Sequence, residues 1–176
     1  MRAHRRGARG VAVTAVLAAL SLILLYLSAF VPAGQMGVVA IAGLVPAGAV
    51  ISAGLGAGFC CYGVAGLLGL LLVPDKGGVL LYLIFFGLYP MIKSLCERVP
   101  ALALGWLCKL GFFNVVLALF WFALRAVLLP FLPQALTGPG AVWLAGNVAF
   151  VIYDVGFSKL IAFYISRVDR VLRKNA

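Results

Sequence analysis

Followed along the alternation of apolar and polar positions, the chain resolves into six long apolar runs separated by short breaks of proline, glycine and charge. A helix that spans a bilayer needs about 20 predominantly apolar residues, and each run meets or approaches that length. The first is Val11–Val31, closed by Pro32, Ala33 and Gly34. The second, Met36–Ala53, carries Pro46, where a kink is expected. Gly54, Gly56 and Gly58 predict a tight uncharged hairpin into the third run, Gly58–Val73. Pro74, Asp75, Lys76, Gly77 and Gly78 separate it from the fourth, Val79–Glu97. Beyond Pro100 the fifth extends from Trp106 to Leu129 and stops at Pro130 and Pro133; the sixth is Ala141–Ser166. The expected architecture is all-α: a basic tail over 1–10, one six-helix membrane domain over 11–166, and a basic amphipathic end over 167–176.

Composition agrees with that pattern. Hydrophobic residues make up 65% of the chain and charged residues only 10%, against roughly 25% charged in soluble domains. The 21 glycines are spread through apolar runs rather than gathered into linkers, as expected where helices approach closely in lipid. The net charge of +10 does not point to nucleic acid, because the basic residues cluster beside apolar runs, where anionic headgroups attract them. Arg2, Arg5, Arg6 and Arg9 ahead of an apolar stretch imitate a signal peptide, but the stretch is too long, no A-x-A site follows, and a retained first helix is expected.

The arginines and lysines also predict orientation. With six spans both termini lie on one side, together with Lys93, Arg98 and Lys109; only Lys76 and Arg125 fall on the other. The positive-inside bias makes both termini cytoplasmic in a multi-pass protein of the cell membrane.

Ionisable groups within spans are costly and mark functional candidates. In helix six Trp143, Asn147, Asp154 and Ser158 share one face. Asp154 has two readings, a packing ion pair or a ligand or coupling group, and its nearest cation in sequence, Lys159, is rotated away. Helix five presents Lys109, Asn114, Trp121 and Arg125; Arg125 reads either as a snorkelling side chain or as the cation of an outer cavity. Helix four aligns Tyr82, Phe86, Tyr89 or Pro90, and Lys93, with Glu97 placed to pair with Lys93 at i,i+4. On helix one, Ala15-x-x-x-Ala19 makes a small-residue face.

Catalytic signatures are missing. The only histidine is His4 in the basic tail, and HExxH, GxSxG, Walker A and paired carboxylates do not occur, so no enzyme, metal site or cofactor is expected. Cys60, Cys61, Cys96 and Cys108 form neither a CxxC pair nor a secreted-domain spacing and read as buried small hydrophobes.

Six spans with cytoplasmic ends, a length of 176 residues and the Ala15/Ala19 face together resemble the substrate-binding S components of energy-coupling factor transporters and their small bacterial relatives. The runs Leu72-Val73-Pro74-Asp75-Lys76, Phe86-Gly87-Leu88-Tyr89-Pro90-Met91-Ile92-Lys93 and Lys109-Leu110-Gly111-Phe112-Phe113-Asn114 look like a branch apart from the vitamin-specific members. The resemblance implies docking of Ala15 and Ala19 on a transmembrane coupling subunit, with ATP used by separate subunits. It further implies an outward cavity for a small solute, lined by Asp75, Lys76, Tyr82, Trp121, Arg125, Trp143 and Asn147. Tyr89, Lys93, Lys109, Asn114, Asp154 and Lys159 are then an intramembrane polar network. The alternative from another class is a structural or interaction protein in which these polar groups only fix helix packing.

Overall fold

The computed structural model describes residues 2–31, 34–125 and 138–174. Its elements are α1 (Arg2–Ser28), α2 (Gln35–Ala53), α3 (Leu55–Leu72), α4 (Lys76–Leu81), a π-helical turn (Tyr82–Phe86), α5 (Tyr89–Cys96), α6 (Leu102–Phe122) and α7 (Pro139–Lys174). Among the described residues six stretches are long and apolar enough to cross a membrane; α4, the π turn and α5 together make the fourth, Lys76–Cys96. Large apolar side chains stand on the outside: Leu71 is 77% exposed, Leu102 82% and Phe122 81%. Such a surface is unsustainable in water and ordinary against lipid tails, which makes the chain a multi-pass membrane protein.

The chain forms two compact units, Met1–Phe131 and Leu132–Ala176. In the first, α1, α2 and α3 pack against one another, and the fourth span lies between α2 and α3 on one side and α6 on the other. Small residues set the spacing: Ala18 of α1, Ala49 of α2 and Cys61 of α3 form one buried cluster, as helix packing in lipid requires. The fourth span is the most enclosed, with 61% of its window buried against 17–33% for the others.

Several boundaries differ from the sequence reading. The first helix begins at Arg2, so the basic residues 2–9 are helical and run on into the candidate span Gly10–Ser28. The expected glycine hairpin shrinks to one residue, Gly54, whose φ of 91° lies in the region that favours glycine. α3 therefore starts at Leu55. The fifth helix starts at Leu102 and ends at Phe122, which leaves Arg125 beyond it rather than within it. α7, in the second unit, runs unbroken for 36 residues and takes the basic end into the same helix.

Candidate functional site

The fourth span is where the backbone departs from regular helix. Asp75 starts it as an N-cap, accepting from Gly78 N at 2.7 Å, and the same carboxylate accepts from the Gln35 amide. Lys76 reaches back to the carbonyls of Leu70 at 2.6 Å and Val73 at 2.7 Å, closing the end of α3. Both residues were expected to line a solute cavity; here they terminate and start helices.

One turn further the ladder shifts register. Gly87 N–H, which an α-helix would direct to Leu83, donates to Tyr82 O at 2.7 Å, and the Leu83 carbonyl accepts the Tyr62 hydroxyl at 2.7 Å. Pro90 lacks an N–H for the Phe86 carbonyl four residues back. That carbonyl faces Gly43 of α2 so closely that a Cβ there would stand 2.5 Å from the oxygen. Gly66 of α3 admits Leu83 in the same manner. The irregular backbone is thus enclosed by protein, the condition under which it is tolerated at membrane depth.

Tyr82, 0% exposed, is held by polar groups from two other helices. Ser21 Oγ lies 2.9 Å from Ala42 O and 3.1 Å from the Tyr82 hydroxyl oxygen. Since serine has one proton, the chain runs from Tyr82 to Ser21 to Ala42 O. The Tyr62 and Tyr82 rings stack with centroids 5.9 Å apart. Ser21 and Tyr62 were not among the residues expected to matter. Their signal was faint: single hydroxyls in otherwise apolar stretches.

The seam between α5 and α6 carries the charges. Lys93 Nζ lies 2.7 Å, and Lys109 Nζ 2.8 Å, from the same Glu97 oxygen. The two lysines are buried while Glu97 is half-exposed. Burial alone would raise the Glu97 carboxyl, but hydrogen bonds and charge from Lys109 and Lys93 outweigh it and hold the group below the usual carboxylate range. Lys109 also sits 5.2 Å above the Trp106 ring. Deeper in the seam, Phe85 and Tyr89 stack on Phe112 at 6.2 and 6.4 Å. The predicted pair Lys93–Glu97 is present, and Lys109 joins it.

The remaining candidates fall elsewhere. Asn114 donates to Leu110 O at 2.9 Å along its own helix. Arg125 lies over the Trp121 ring, 4.8 Å from its centroid, and is exposed. In the second unit Asn147 donates to Trp143 O at 2.9 Å, Asp154 is buried in a stripe with Val142, Phe150 and Phe157, and Lys159 is exposed on another face of α7. On α1 the buried face is Ala18, Ser21, Leu25 and Ser28, so Ala15 and Ala19 point outward, unused by packing among the described residues.

The cysteines depart from expectation. Cys61 and Cys96 are buried, but Cys60 and Cys108 are exposed, so burial as small hydrophobes describes only two of the four. Among the described residues no three His, Cys, Asp or Glu side chains converge in a way that would hold a metal ion. Comparison with models of known protein families, with curated proteins and with solved structures found no match.

Proposed function

We propose that the chain is a solute-binding subunit of an uptake transporter in the cell membrane, of the S-component kind, energised by ATPase subunits on other chains. The observation that supports this reading is the fourth span: the most enclosed span of the bundle is also the one whose helical ladder is broken, at Tyr82–Phe86 and again before Pro90. Transporters build binding sites from discontinuous helices, because a broken ladder presents backbone groups and aromatic side chains at the bilayer midplane. Tyr82 and Tyr89, buried beside Phe85 and Phe112, set flat aromatic rings around that break, and a small planar or anionic solute would have to part them to bind. The outward Ala15 and Ala19 are then the surface for a coupling subunit.

A second reading has its own support. In the first unit Tyr82, Tyr62, Asp75, Lys76, Lys93 and Lys109 each bond to another group of the chain. A protein whose polar groups serve packing alone looks the same.

Copurification from native membranes separates the two. Transport predicts recovery of an ATPase module together with a bound small molecule that mass spectrometry detects after denaturation. A stable preparation lacking both would reject the transport reading in favour of the packing one.

A further inference from the structure

The α5–α6 seam holds one more pair of reactive groups. Cys96 Sγ and Cys108 Sγ are 2.6 Å apart, and both cysteines are free thiols. Two independent contacts hold these helix segments in register at the same place. A Cβ on Gly105 would meet the Cys96 carbonyl at 3.2 Å, so α6 lies directly against the end of α5. One turn on, Lys109 is tied to Glu97 at 2.8 Å. Gly105, Cys108 and Lys109 share a face of α6, and Cys96 and Glu97 are consecutive. The thiol approach is therefore part of the seam's register.

The two sulfurs differ in access: Cys96 is 2% exposed and Cys108 lies open on the chain surface. We propose that Cys96 and Cys108 are a redox-active dithiol that closes to a disulfide by exchange with a small-molecule disulfide, tying the end of α5 to α6. The Cys108 thiolate attacks the incoming disulfide, forms a mixed disulfide and expels one thiolate. Cys96 gives up its proton and attacks Cys108 Sγ, forming the internal bond and expelling the second thiolate, which with the first takes up the two protons. Two protein thiols are oxidised and one small disulfide is reduced to two thiols. The sulfurs must move from 2.6 Å to about 2.0 Å.

The test uses the reduced full chain in detergent and 2-hydroxyethyl disulfide, which is small and uncharged. After exchange the protein is denatured, remaining thiols are alkylated, and it is digested without reduction for mass spectrometry. The expected product is a Cys96–Cys108 linked peptide, with alkylation lost at both positions, retained at Cys61, and restored by dithiothreitol. C96S is expected to stop at a mixed disulfide on Cys108. If wild-type protein instead keeps the mixed disulfide on Cys108 while Cys96 stays alkylatable, or leaves both thiols unreacted, or links two chains through Cys108, the proposal is overturned. The deciding readout is on wild-type protein, so a variant that fails to fold does not affect it.

Discussion

At Glu97 a single carboxylate oxygen serves two lysines that are themselves out of solvent. Removing one partner from a buried pair is strongly destabilising, but the half-exposure of Glu97 lets water screen part of that cost. Glu97→Gln is therefore expected to cost about 1–3 kcal/mol, read as a lowered thermal midpoint in detergent. The acid dependence follows from the direction of the shift. The folded carboxyl lies below its ordinary value of 4.5, so its stabilisation is complete above that pH and is lost as pH falls through the lower folded value. The wild-type midpoint should fall on acidification below about 4.5 relative to E97Q, and the gap between them should narrow there. The i,i+4 pairing of Lys93 and Glu97 was legible because helical spacing alone sets it. The part played by Lys109, twelve residues away across a turn, was not, since it depends on how α6 returns along α5.

The fourth span shows what an element can hide from its sequence. Pro90 itself withholds a donor from the ladder, yet the π turn before it is fixed by contacts from elsewhere: Tyr62 takes the Leu83 carbonyl, and Gly43 and Gly66 make room. None of these lies within the span. Tyr62→Phe removes one hydrogen bond to the π turn and is expected to cost about 1 kcal/mol, with tryptic protection of the span reduced to match. Gly43→Ala should be worse. Its Cβ would stand 2.5 Å from a backbone oxygen that cannot rotate aside, so a loss of about 1–3 kcal/mol from overpacking is expected, visible as a broadened, earlier unfolding transition. If G43A unfolds like wild type, α2 and the fourth span do not meet as described. The basic amphipathic end continues α7 to Lys174, because nothing at Ser166 stops a helix.

For the molecule as a whole, the apolar runs announced the membrane class and, among the described residues, the six candidate spans, because a long apolar stretch satisfies its own backbone in lipid as a helix. The candidate site was less legible. Tyr82, Tyr89, Lys93 and Lys109 belong to the enclosed first unit, whereas Asp75 and Lys76 turned out to cap helix ends, a role that sequence spacing does not distinguish from ligand binding. The outward position of Ala15 and Ala19 makes a clean experiment. An Ala15→Leu, Ala19→Leu double variant should leave the thermal midpoint within about 0.5 kcal/mol equivalent of wild type, as exposed substitutions do. Under the transport reading it should also abolish recovery of the ATPase module.

Gly54 carries a consequence for how the protein is made. A turn of one residue, without charge, gives the insertion machinery nothing to read between α2 and α3. The two helices must then partition into lipid as a single hairpin, with their topology dictated by the basic residues at the start of α1 and around Arg98. A protease site or epitope placed after Gly54 should accordingly spoil biogenesis, whereas the same insertion at Gly138, between α6 and α7, should be accepted.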